Sequence, residues 1–261
     1  MLKSPMVLLL AALLPAAGAF AQQQPVTLRV SVREGQASRF RTDVQTWLGA
    51  DTSRPATQLT LYVSRTVIAV RNDTAVLRDV VDSAEASAPG VPNANVMALA
   101  NAAMAMRGVT TLSAIDGRAR LLDYAAGTRQ ESPLAPPVQA VVPMAGLLRA
   151  IFALPAQPVR PGESWTETLT GGEADGSVTM AGTYTLERTL RQGGHTIAVI
   201  TAVGQLGGGG PGGAMAARFN GRLEYDVDDS QPARFVIDLQ GNIASVDGSV
   251  PVRIRRTVSR L

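Results

Sequence analysis

Cysteine is absent from this chain of 261 residues, which removes disulfide frameworks, thiolate zinc sites and any lipobox cysteine able to carry an acyl anchor. Lysine occurs once, at Lys3, and histidine once, at His195. With so little to work with, Schiff-base, Ser-Lys and thiolate mechanisms are excluded once Lys3 is lost, and the lone imidazole has no evident partner to orient it. No Gly-x-Ser-x-Gly elbow occurs either. The expectation is a protein that is not an enzyme, with no catalytic residues, no cofactor and no metal. Aromatic residues make up 4% of the chain, too few for the two interfacial girdles of an outer-membrane barrel. Beyond the N-terminus no stretch approaches the roughly 20 uncharged apolar residues that a membrane-spanning helix requires.

Strong charge of one sign is lacking too. The formal net charge is +3, and removing Lys3 leaves 3 − 1 = +2. The arginines are dispersed, with one local cluster at Arg253, Arg255 and Arg256, so no nucleic-acid partner is expected.

What is present begins at the front. Lys3 supplies a small positive n-region, Val7 to Leu14 an unbroken apolar h-region, and Ala19 and Ala21 the small residues that a signal peptidase reads. The expected organisation is a signal peptide over residues 1–21 and a single β-rich domain over 22–261, soluble and periplasmic or secreted in a bacterium, without a transmembrane span after cleavage.

Period-two alternation dominates that domain. Val26, Leu28, Val30 and Val32 alternate with Thr27, Arg29, Ser31 and Arg33, predicting a first half-buried strand. Arg39 to Leu48, Gln58 to Arg71 and Thr74 to Ala84 continue as an antiparallel meander, with Asn72-Asp73 as a turn. Asp116-Gly117 marks a hairpin. In Val159-Arg160-Pro161-Gly162-Glu163, Pro then Gly occupy the central positions of a type II turn ahead of a strand beginning at Trp165. Phe219, Gly221, Leu223, Tyr225 and Val227 form an apolar face answered by Ala233, Phe235, Ile237 and Leu239. Val250 to Arg260 is read as the strand that closes the sheet.

Two segments break the β pattern. A helix near 94–106 follows from the N-cap Asn93, an apolar run interrupted only by Asn101, and Gly108 at the C-cap; being apolar all round, it is expected to be buried. A second near 143–153 follows from Met144, Leu147, Leu148, Ile151 and Phe152 on one helical stripe. The fold class expected is α+β, mainly antiparallel β: a long curved sheet or half-barrel with two short apolar helices packed on it.

Motifs that suggest chemistry have plainer readings. Asp226, Asp228 and Asp229 do not fit an EF-hand, because position six would be Gln231 and position twelve Ile237, and the alternation puts Asp226 and Asp228 on the solvated face. The glycines from Gly207 to Gly213 lack the Lys-Ser or Lys-Thr of a phosphate loop. Glu163 and Glu167 flank Trp165, but four residues apart on a strand places them about 13 Å from each other, too wide for a glycosidase pair.

Methionine adapts to irregular apolar shapes, so Met97 and Met104 together with Leu147, Leu148, Ile151 and Phe152 are candidates for lining an apolar pocket between helices and sheet, with simple core filling as the alternative. Long antiparallel strands, a signal peptide and two apolar helices between β runs resemble the LolA-like periplasmic carriers. That resemblance implies a half-barrel holding acyl chains beneath helices; members typically begin with a helix, whereas this chain begins with Val26 to Arg33. The segment Pro158 to Trp165 also resembles a turn of uncharacterised secreted bacterial proteins, from which no activity follows. Two functions stay open: a lipid or other apolar ligand, or an envelope protein, bound on the concave, helix-covered face; or a structural or interaction domain of the envelope with a filled core.

Overall fold

In the computed structural model, the described residues are 24–49, 53–91, 96–126, 152–171, 178–210, 213–245 and 248–261. The signal segment with Ala19 and Ala21 lies outside them, as do residues 143–151 of the second expected helix, including Leu147, Leu148 and Ile151.

The chain folds as two antiparallel meanders. The first comprises β1 (Ala37–Leu48), β2 (Thr57–Arg71), β3 (Thr74–Ser87), β4 (Thr110–Asp116) and β5 (Leu121–Ala126). The second comprises β6 (Ser164–Gly171), β7 (Val178–Gln192), β8 (His195–Gly210), β9 (Gly213–Asp226), β10 (Gln231–Ser245) and β11 (Gly248–Arg260). Pairing of β1 with β11, from Phe40 opposite Arg260 to Leu48 opposite Val252, joins them into one sheet of 11 strands in the order β5-β4-β3-β2-β1-β11-β10-β9-β8-β7-β6. The strand expected to close the sheet is therefore one of its central strands.

Local chemistry sets these hairpins. Arg71 pairs with Thr74 and Gln192 with His195, leaving two-residue turns whose central residues need positive φ. Asn72 and Asp73 adopt 45° and 66°, and Gly193 and Gly194 adopt 59° and 88°. Register shifts at Tyr62/Val63, Val67/Ala69, Ala114/Ile115, Leu186/Arg188 and Pro232/Arg234 add the local twist that bends a long sheet.

The helices are where expectation and structure part. Among the described residues there is one helix, α1 (Val96–Met106), and Phe152 to Leu154 run without helical structure. Nor does α1 lie on the sheet. It packs against β3, whose ladder with β4 ends at Val80, and the adjoining chain is tied there by Gly108 N–H to Val81 O (2.8 Å) and Val81 N–H to Val109 O (3.0 Å). Only Ala103 of α1 is buried, while Val96, Met97 and Met104 are 72%, 70% and 64% exposed. An apolar helix composed largely of alanine has a shallow surface that one strand's flank can meet, so uniform hydropathy does not force burial on every side. The class is a curved, mainly antiparallel β-sheet with one peripheral helix.

Candidate functional site

Directly opposed residues of antiparallel strands share a face, so the register reads out the sheet's inner surface row by row. One row runs Trp165, Tyr184, Ala202, Gly221, Ile237, Arg256, Val44, Leu59. Its neighbour runs Leu186, Ile200, Leu223, Phe235, Val258, Thr42, Leu61. From β7 to β10 these rows are apolar and, Gly221 apart, buried, with glycines admitting the aromatic rings. A Cβ added at Gly204 would stand 2.5 Å from Phe219, and one at Gly221 would stand 3.2 Å from Phe152.

Two extended segments cover this floor. Residues 24–33 form a strap bearing Val26, Leu28, Val30 and Val32 inward, and Leu28 is 1% exposed within the main core cluster. Burying such a leucine contributes about 2 kcal/mol. The strap does not join the ladder, unlike the strand expected at Val26 to Arg33. It makes one isolated bridge to Val159 (Val26 N–H to Val159 O, 2.8 Å; Val159 N–H to Val26 O, 3.0 Å). Val30 N–H donates to Gly117 O (2.8 Å), and the Tyr225 hydroxyl donates to Arg29 O (2.7 Å). Period two reported an extended backbone with one face buried, which a strap over a sheet satisfies as well as a strand within it.

The second cover segment, Phe152 to Val159, is more deeply fixed. Phe152 meets Phe235 edge-on at 4.6 Å and Tyr184 at 5.9 Å between ring centroids. Trp165 stacks on Tyr184 and donates its indole N–H to Ala153 O (2.8 Å). Burial raises the Tyr184 phenol to about 12, and raises that of Tyr225 further, with Asp226 adding to the effect. Arg118, in the β4–β5 turn, donates through Nε to Leu154 O (2.9 Å), receives the Leu154 N–H at its own carbonyl and forms an ion pair with Glu167 of β6. Burial, and then the neighbouring charge of Arg120, lower the Arg118 pKa. Since β5 and β6 are the two edges of the sheet, Arg118 brings one edge hairpin onto the opposite edge strand, and the sheet is rolled around its cover. Glu167 is thus part of this closure.

The candidate pocket residues therefore separate. Phe152 lies in the filled core; Met97 and Met104 point away from it on α1. Among the clefts of the described surface are one of about 370 Å³ beside Arg191, Gly193, Gly194, His195 and Asp228, and one of about 410 Å³ between Pro155–Val159 and Glu163–Trp165; neither of these is lined by a candidate pocket residue.

Sequence reasoning missed a polar cluster at the rim. His195 Nδ1 lies 3.1 Å from Asp226 Oδ2, and Arg260 Nη2 lies 3.0 Å from Asp226 Oδ2 and 2.9 Å from Asp229 Oδ2. Asp226, read as solvated, is buried. Burial alone would raise its pKa, but the Asp229 N–H, His195 and Arg260 outweigh burial and hold it below the usual carboxylate value. His195, Asp226 and Asp229 could together offer metal ligands, yet the Arg260 guanidinium already spans the two carboxylates. Its charge opposes a cation there.

No protein-family description matches the chain, and no curated protein matches its sequence. Among solved structures, the chain is similar to lipovitellin, in a structure described as lipid-protein interactions in lipovitellin. The TM-score is 0.35 at 10% identity, over 88% of this chain and 25% of that one. It is also similar to the hypothetical lipoprotein YmcC from Escherichia coli (K12), with a TM-score of 0.28 at 11% identity, over 87% of this chain and 89% of that one. The chain thus spans a quarter of the lipovitellin chain.

Proposed function

We propose that the protein is an exported, non-enzymatic component of a bacterial envelope that binds an apolar ligand, of acyl-chain type, on the inner face of its rolled sheet. The observation that carries this reading is the floor from β7 to β10. It is continuous and apolar, and its cover is not sheet but extended chain held at a few backbone positions. A ligand of similar width and apolarity can replace such a cover without breaking a ladder.

A second reading is a partner-binding envelope domain with a permanently filled core, favoured by the exposed Val96, Met97 and Met104 of α1. Native mass spectrometry of protein purified from the periplasm of its host, followed by organic extraction, separates the two. The first reading expects a stoichiometric apolar mass. A bare polypeptide that crosslinks to an envelope protein through α1 would replace it with the second.

A further inference from the structure

We infer that the strap over residues 26–33 is a gate, hinged at Gly35, that must swing off the apolar floor for a ligand to enter. This rests on the apolar-ligand reading above.

The strap and the segment 152–159 cover the same floor but are held differently. Phe152, Leu154, the Trp165 bond to Ala153 and the Arg118 bonds anchor 152–159 to both edges of the sheet. The strap is pinned at its outer end by the bridge to Val159 and farther along by Tyr225 and Gly117. Its other end enters β1 through Gly35, whose φ of +80° suits glycine, with Gly35 N–H to Val67 O (2.8 Å) and Val67 N–H to Gln36 O (2.9 Å) fixing the chain just there. Between pin and hinge, Leu28 is the side chain most deeply seated in the core. The outward ion pair of Arg29 with Asp73 is exposed on both sides and adds little resistance. Swinging the strap therefore breaks a handful of bonds and withdraws Leu28 together with the half-buried Val26, Val30 and Val32. It uncovers part of the core cluster to which Leu28 belongs, beside Tyr225. No strand pairing is lost.

The chain's lack of cysteine makes the test clean. Val26 and Val159 form a hydrogen-bonded antiparallel pair, whose Cα separation of about 5.5 Å suits a disulfide. Val26→Cys with Val159→Cys should take up a dansyl-labelled fatty acid normally when reduced, and at least about 10-fold more slowly when oxidised, with full recovery on reduction. Tyr225→Phe, which frees Arg29 O, should speed uptake by about 3- to 10-fold, the worth of one hydrogen bond. Equal uptake by the oxidised and reduced pair, or no acceleration in Tyr225→Phe, overturns the gate while leaving ligand binding intact. Failure of wild type and reduced protein alike to take up the probe defeats the ligand reading, and the gate with it.

Discussion

The inner surface of this sheet has two unlike halves, divided at β11. From β7 to β10 it is apolar, dense and covered by Leu28, Phe152 and Leu154. From β11 through β1 to β4 the corresponding positions include Arg256, Thr42, Thr46, Arg65, Asp79 and Ser113, with a smaller apolar cluster of Val67, Ala75 and Leu77. Arg65 donates to buried Asp79 through Nε (2.8 Å) and Nη2 (3.0 Å), and its guanidinium lies 4.9 Å from the centre of the Phe40 ring. Burial lowers the Arg65 pKa, but the charge of Asp79 and these bonds prevail and the net shift is upward. The first half derives stability from area removed from water, whereas the second relies in part on pairing buried polar groups, as Arg65 does with Asp79. On the proposed reading, the first half is the floor that the acyl chain shares.

That contrast predicts how the halves break. Phe152→Ala should cost most, about 4 kcal/mol in urea unfolding, because it empties the space over Gly221 and removes two ring contacts. A cost below about 1 kcal/mol would mean that the apolar half is loosely packed. Arg65→Ala should cost about 3 kcal/mol by leaving Asp79 buried without the guanidinium, whereas the double change Arg65→Met with Asp79→Leu should recover most of it. If the double variant is as damaged as the single, the polar half is not governed by pairing. Gly204→Ala should cost about 2 kcal/mol, since the new Cβ meets Ala181 O at 2.3 Å, which cannot move without disturbing the β7–β8 ladder, and the Phe219 ring of β9, which is packed in the core.

The smallest effect should come at the rim. The folded pKa of Asp226 lies below its unfolded value of about 3.9, so its stabilising contribution is fully present above about pH 4 and is lost as pH falls through the lowered folded value. Acid unfolding followed by circular dichroism should show this component in wild type and not in Asp226→Asn. Identical acid profiles would remove Asp226 from the account.

Much of this β architecture was legible in the sequence. The positive-φ turns at Asn72-Asp73 and Gly162, and the alternation of Phe219 to Tyr225 with Phe235 to Leu239, fix local structure through sterics and burial that any context preserves. Strand order was not legible, because β11 finds β1 rather than an edge through contacts more than 200 residues apart in the chain. The same limit hid the strap, since burial on one face leaves its partner unspecified. The rim cluster was hidden because Arg260, His195, Asp226 and Asp229 meet only after β8 to β11 are laid side by side. In α1 composition and burial part: a run without charge predicts a buried helix, yet Val96, Met97 and Met104 stay exposed.

The most direct test of the claim that the apolar half is the ligand floor is methyl NMR of the protein titrated with oleate. Shifts concentrated at Ile200, Leu223, Ile237 and Leu28, with Val63 and Val67 unmoved, are the predicted result. Shifts confined to Val96, Met97 and Met104 of α1, or none at all, would contradict it.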